Sequence, residues 1–270
     1  MKYVGMPLGM WALFSQSFCC QLTAVFGYDK ATAKAVTQKA KPKYKEIIHE
    51  LPPFEKGDRF QMNIVNCAML CAFVLSMPQR PDVERLTDYY ARAMMTKPMR
   101  WFCRKSGKSK YTEKDIAGMK ATAALKAADR NPYSWNMDFF EYPDGSGYEG
   151  RFTKCGICEL MKKLGLYDLT PAMCHLDYTM SDAGGVTDFV REYTLASGGP
   201  CCDCGYKKRL DADGGGSTNY ERAENHEGFQ RHRDFPQAGL AAHSTPVPSW
   251  AVWRVFDADR RSDFGLGRTG

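Results

Sequence analysis

The sequence predicts an α+β fold: a helical N-terminal half followed by a β-β-α-α-β-β unit whose strands form an antiparallel sheet. Three observations predict it. Residues from about 5 to 128 carry apolar side chains at helical spacing. The aromatic-rich stretch "YSWNMDFFEY" then runs into the turn "PDGSG" and the return stretch "YEGRFTK", the pattern of a hairpin. Two short helical stretches and two further β-type stretches complete the unit, the last of them "CCDCGYK".

The elements follow in order. From Val4 to Gly27 the chain carries no charge, and Lys2 precedes it, as in a leader peptide. Pro7, Ser15, Gln16, Ser17 and Gln21 interrupt the run, and no small-x-small cleavage site follows. The segment therefore reads as a packed amphipathic helix rather than a signal peptide or a membrane span. Gly27 suits its end and Asp29 the cap of a second helix, which Pro42 is expected to interrupt. Phe60 to Met77 is apolar nearly all round, as a central buried helix would be. "DVERLTDYYARAMM" has helical spacing, and "TEKD" (Thr112 to Asp115) resembles a capping box opening "IAGMKATAALKAA". After the hairpin, "CGICELMKKLG" is a helix stopped by Gly165. Thr170 is placed to cap the next, with Pro171 in its first turn. "DFVREYTLA" and "CCDCGYK" are expected to be strands joined by "SGGP".

Composition sets the domain organisation. Residues 1–208 form one domain, helical over 1–130 and sheet-containing over 131–208. They hold all 20 lysines, 14 methionines and 11 cysteines. Residues 209–270 hold eight arginines and no Lys, Met, Ile or Cys, and open with "DADGGGSTN" after "RL". They read as a disordered tail that cannot bury enough surface to fold alone. The net charge of +6 comes without an arginine or lysine stripe interleaved with aromatics, so a nucleic-acid partner is not expected. Nor is a membrane. An odd cysteine count at irregular spacing in a chain of 270 residues fits a reducing, cytoplasmic setting rather than a disulfide scaffold. Oligomeric state has no signal in the sequence.

The cysteines carry the chemistry. Cys155 and Cys158 form a C-x-x-C at a helix start, where backbone amides favour thiolate. Cys174 and Asp177 share a helical face at i and i+3. In a strand, Cys202 and Cys204 point to one face and Cys201 to the other. Cys155, Cys174, Asp177 and Cys202 are the group that might converge, as three sulfurs and an oxygen around zinc or another divalent metal, or as a nucleophile with its base. Cys19, Cys20, Cys67, Cys71 and Cys103 read as small core hydrophobes.

These residues resemble a known family. "RFTKCGICELMKKLGLYDLTPAMCHLDYTMSDAGG" followed by "YTLASGGPCCDCGYKK" is similar to the L-2-amino-thiazoline-4-carboxylic acid hydrolases. The matching positions are Cys155, Cys174 with Asp177, Thr194 with Leu195, Gly198 with Gly199, and Cys202 with Asp203. Cys204 stands where the family usually has an aromatic. A weaker similarity is to the 4-vinyl-reductase-type small-molecule-binding domain. The resemblance implies opening of a cyclic thiazoline to N-carbamoyl-L-cysteine, or of a similar cyclic amidine-like substrate. Cys155, Cys174 and Asp177 are then the catalytic candidates, and Arg151, Lys154 and Thr194 the substrate-binding ones. Cys155, Cys174, Asp177 and Cys202 would be the ligands if zinc is used. Asp203 either supports the site or caps a hairpin. The rival reading is a zinc-stabilised small-molecule sensor domain without catalysis. A third is a thiol redox pair of Cys155 and Cys158.

Overall fold

The structure, a computed structural model, describes residues 1–209. Six helices come first: α1 (Met6–Phe26), α2 (Lys30–Glu50), α3 (Gln61–Val74), α4 (Val83–Met94), α5 (Lys97–Gly107) and α6 (Glu113–Ala127). The hairpin β1 (Asp138–Glu141) and β2 (Gly147–Phe152) follows, then α7 (Gly156–Lys163) and α8 (Thr170–Gly184). Strands β3 (Thr187–Val190) and β4 (Cys202–Lys208) close the domain. The sheet is antiparallel in the order β1-β2-β4-β3. This is the α+β architecture expected from the sequence, with its β-β-α-α-β-β unit.

Apolar periodicity explains the helical half. In α1, Met10, Trp11, Phe14, Phe18 and Leu22 fall on one buried stripe. In α3 every residue from Ile64 to Val74 is buried, so it is the central helix. Trp11, Phe18, Phe73 and Tyr89 pack as a chain of rings, with Trp11 and Phe73 centroids 5.7 Å apart and Phe18 and Phe73 4.9 Å apart. Buried phenols find carbonyls: the Tyr44 hydroxyl donates to Pro7 O at 3.1 Å and that of Tyr89 to Phe18 O at 3.2 Å. One core runs through these helices into α7 and α8, so the helical half is the wall on which the sheet unit is mounted. Among the described residues, no helix is long and apolar enough to cross a membrane.

Local capping agrees with the sequence in several places. Gly27 ends α1 in the left-handed region at φ 71°. Asp29 caps α2 by accepting from Thr32 N at 2.7 Å. Thr112 caps α6 by accepting from Asp115 N at 3.2 Å, but the Asp115 carboxylate accepts from Tyr111 N, one residue outside the usual box.

Four details differ from expectation. The helix α2 runs unbroken through Pro42; Pro42 and Gln38 both lie on its exposed side, where a carbonyl that loses its helical donor can be solvated. The central helix stops at Val74, three residues short of Met77. Thr170 lies inside the first turn of α8 and donates to Tyr167 O at 2.6 Å, while Leu169 takes the cap position. Strand β3 ends at Val190 instead of running to Ala196. There the Asp203 carboxylate accepts the amides of Glu192 and Tyr193 at 3.0 and 2.6 Å and draws the chain off the sheet edge.

Arg209 itself belongs to the fold: it pairs with Asp182 at 2.8 Å and Asp188 at 2.9 Å. The expected disordered tail lies otherwise outside the described residues.

Candidate functional site

Cys155 occupies the N-cap position of α7 with extended backbone (φ −135°, ψ 114°). The chain can start a helix here because residue 156 is glycine. A Cβ at Gly156 would lie 1.9 Å from the Tyr133 carbonyl oxygen, so the loop before the hairpin presses directly on the helix start. That loop is fixed by a buried cluster in which Lys126 Nζ meets Asp58 at 2.5 Å, Asp129 at 2.6 Å and Ser134 Oγ at 2.7 Å. The same loop delivers Trp135, which stacks on Phe60 at 5.2 Å and turns its indole toward Cys155.

The Cys155 thiol makes no full capping hydrogen bond. Its surroundings still favour the thiolate. The Cys158 thiol, the amides of Cys158 and Ile157 and the Trp135 indole hold its pKa below the ordinary thiol value, against the opposing effect of burial. The cost falls on Cys158, whose pKa its interaction with Cys155 and burial raise far above the thiol range. Cys155 also lines a cleft of about 340 Å³, with Cys158, Lys154, Lys162, Tyr167 and Leu195 around it.

Beyond this cleft, α8 packs against the inner face of the sheet, with Tyr178 edge-on to Phe189 at 4.8 Å. Register puts Phe152, Gly150 and Tyr148 of β2 opposite Cys202, Cys204 and Tyr206 of β4, all on that inner face. Helix α8 contributes Cys174 and Asp177. Arg191, just past β3, reaches underneath: Nη1 donates to Asp177 Oδ2 at 2.9 Å and Nη2 to Cys174 O at 2.8 Å. Its guanidinium lies 5.1 Å from the Phe189 ring and 5.3 Å from that of Tyr178, with its side chain 6% exposed. Asp177 keeps 42% of its side-chain surface accessible although it lies deep in the protein. Burial raises the Asp177 pKa, and Arg191 and Lys110 work against that rise.

Of the four sequence-predicted ligands or catalytic groups, the three cysteines lie within electrostatic reach of one another, and Asp177 within reach of Cys174 and Cys202. Each thiolate of the three would disfavour the others. Burial pushes Cys174 well above the thiol range. It also raises Cys202 to about 11, although Leu195 N donates to that sulfur at 3.2 Å. Cys155 is therefore the thiol of the group whose pKa is lowered rather than raised. Among the described residues, no group of three or more His, Cys, Asp or Glu is arranged to hold a metal ion. The Asp177 carboxylate is engaged by a guanidinium, which suits an ion pair rather than a cation ligand.

The three substrate-binding candidates fare differently. Lys154 lines the cleft, but its ammonium donates to the Asn131 and Asp129 carbonyls at 2.5 and 3.5 Å. Thr194, 5% exposed, caps the turn Leu195–Ser197 by accepting from Ser197 N at 3.1 Å. Arg151 sits opposite Asp203 in the register, on the outer face of the sheet. It pairs there with Glu149 at 2.8 Å and lies near Cys201, on the face away from Cys202. Asp203 resolves to the turn-capping role, through Glu192 and Tyr193.

Two charged residues beside the inner face of the sheet had no sequence signal. Arg191 lies within an expected strand and looks like any edge charge. Lys110 lies in the polar stretch "GKSKYTEKD" yet its ammonium sits 3.6 Å from the Tyr206 ring centroid. Burial lowers its pKa to about 8.

A family model described as L-2-amino-thiazoline-4-carboxylic acid hydrolase matches residues 68–206, just over half of the chain. The match begins in α3 and ends in β4, so it includes every residue named around the cleft. No curated protein and no solved structure matches.

Proposed function

The chain belongs to the L-2-amino-thiazoline-4-carboxylic acid hydrolase family, and from that premise we propose that it hydrolytically opens a small cyclic thiazoline, or a similar cyclic amidine-like ring, with Cys155 as nucleophile. The observation that carries this reading is the thiol at the start of α7, held toward thiolate at the edge of a 340 Å³ cleft.

For L-2-amino-thiazoline-4-carboxylate the steps balance with one water. The Cys155 sulfur bonds to C2 of the ring, and the C2–S bond breaks. The ring sulfur leaves as a thiol after taking a proton, and the amidine carbon stays on Cys155 as an isothiouronium. Water adds to that carbon, the bond to Cys155 breaks, and N-carbamoyl-L-cysteine departs. No ammonia is released. Asp177, with its raised pKa and Arg191 beside it, is the group suited to carry the proton between these steps. The α7 amides and the Trp135 indole stabilise the departing thiolate of Cys155. This reading routes no step through a metal.

The test is turnover by the full chain, purified under reducing conditions and given L-2-amino-thiazoline-4-carboxylate. The expected result is catalytic release of free thiol, lost in Cys155→Ser and weakened but present in Cys158→Ser. Undiminished release in Cys155→Ser would overturn the assignment.

A further inference from the structure

The cleft at the start of α7 holds charged groups that the hydrolytic steps do not use. Beside the two thiols it is lined by Lys154, Glu159 and Lys162. The Lys154 ammonium is spent on the Asn131 and Asp129 carbonyls. Glu159 and Lys162 instead meet each other, Nζ to Oε1 at 3.2 Å, with 48% and 53% of their side-chain surfaces exposed. An ion pair so exposed is held weakly, so each partner can turn to a ligand at little cost. Lys162 Nζ also stands 5.1 Å from the Tyr167 ring centroid. The Tyr167 hydroxyl donates to Leu195 O at 2.9 Å, which fixes that ring as a wall of the same cleft.

The order of these groups along the helix matters. Glu159 N donates to Cys155 O at 3.3 Å, closing the first turn of α7. Cys155, Glu159 and Lys162 therefore stand at i, i+4 and i+7, on one face of the helix, and all three line the cleft. A thiol, a carboxylate and an ammonium follow one another over about 10.5 Å of helix axis. L-2-amino-thiazoline-4-carboxylate presents the complementary order. Its electrophilic C2 is followed by the amidine nitrogens, which hold a proton at neutral pH, and then by the carboxylate on C4. The sulfur approaches C2 to about 3.3 Å. From C2 to the carboxylate oxygens is about 4.5 Å, and a charge-assisted hydrogen bond adds about 2.8 Å. Together these lengths cover about the separation of Cys155 and Lys162 along the axis.

We propose that Glu159 and Lys162 are the specificity residues of the cleft, Glu159 taking the protonated amidine of the substrate and Lys162 its carboxylate. This rests on the reading of Cys155 as the reacting residue. The pair selects zwitterionic ring acids over rings that lack the carboxylate, and it sets C2 toward the Cys155 sulfur. The substrate anchor expected at Arg151 and Lys154 thus moves to Lys162.

The experiment is calorimetric binding of two probes to the full chain at pH 7. One is L-2-amino-thiazoline-4-carboxylate and the other is 2-amino-2-thiazoline, the same ring without the carboxylate. The chain carries Cys155→Ser, so that binding is read without turnover. The acid is expected to bind about tenfold or more tightly than the bare ring, the scale of one charge-assisted contact. That preference should vanish in Lys162→Met and largely survive in Lys162→Arg. Glu159→Gln should weaken both probes by a similar factor, since both carry the amidine. Both side chains are about half exposed, so these variants are expected to keep the fold. Thiol release with Cys155 intact gives a second readout. There Lys162→Met should raise KM for the acid about tenfold and leave kcat within about threefold. Absence of binding, equal binding of the two probes, or an unchanged preference in Lys162→Met would overturn the proposal. A chain that selects the acid through Lys162 but releases no thiol would contradict only the hydrolase reading. A chain that opens the ring with KM unchanged in Lys162→Met would contradict only the anchor.

Discussion

Two pairs of cysteines show how one side chain takes opposite roles in one protein. Cys67 and Cys71 lie inside α3 with no exposed surface, their sulfurs 3.9 Å apart, and Cys71 touches the Met161 sulfur at 3.1 Å. Burial drives the Cys67 pKa well up, so it stays a neutral thiol and packs like a hydrophobe. Cys155 is also deep in the protein, but it precedes α7 rather than lying within a helix, and its pKa is lowered. Inside α3 the backbone amides are spent on intrahelical bonds. At the start of α7 the Cys158 thiol first, and then the unspent amides of Cys158 and Ile157, face the Cys155 sulfur. Burial alone does not decide whether a cysteine is inert; the unspent donors around it do.

Substitutions can break that contrast. Cys155→Ser should lower kcat by about a thousandfold or more, because serine at this position lacks a comparable anion. Cys67→Ala and Cys71→Ala should leave kcat within about threefold, since neither touches the cleft. Steady-state thiol release measures all three.

The next largest effect should come from Arg191→Met. It leaves Asp177 without its partner, and an unpaired buried charge typically costs about 3–5 kcal/mol. The accessible side of Asp177 reduces this to about 2–3 kcal/mol in urea unfolding. Gly156→Ala should follow at about 1–3 kcal/mol, because its Cβ would collide with the Tyr133 carbonyl and push the helix start away from Cys155. The same substitution should slow alkylation of Cys155 by iodoacetamide at pH 7. Cys67→Ala should lose only about 1–2 kcal/mol, the cost of a small cavity in α3.

The smallest effect sharpens the contrast through pH. Cys155 has a lower pKa folded than unfolded, so its contribution to stability is present above the unfolded thiol pKa, about 8.5. It is lost as pH falls through the folded value. Alkylation of Cys155 should therefore have its midpoint below that of a free thiol. Cys67 should resist the reagent across the same range until the chain is unfolded. Mass spectrometry of the alkylated peptides reports both.

Much of this site was legible in the sequence because its signals are local. The C-x-x-C before an amphipathic helix places Cys155 at a helix start. The i, i+3 spacing puts Cys174 and Asp177 on one face of α8, and strand alternation separates Cys202 from Cys201. The turn "PDGSG" gives the hairpin and its register. What escaped depends on long-range packing. Arg191 matters because α8 lies over it, and Lys110 because a loop between α5 and α6 leans onto β4. Arg151 looked like a substrate anchor until the register set it opposite Asp203, on the other face. The early end of β3 likewise depends on a carboxylate eleven residues from the amide of Glu192 that it captures.

The most direct test of the central claim is to quench the full chain during turnover of L-2-amino-thiazoline-4-carboxylate and map adducts by peptide mass spectrometry. An adduct of substrate mass on the peptide containing Cys155, forming and decaying at the turnover rate and missing in Cys155→Ser, is the expected result. Turnover with no adduct on Cys155, or with the adduct on Cys174 or Cys202, would contradict the assignment of Cys155 as nucleophile.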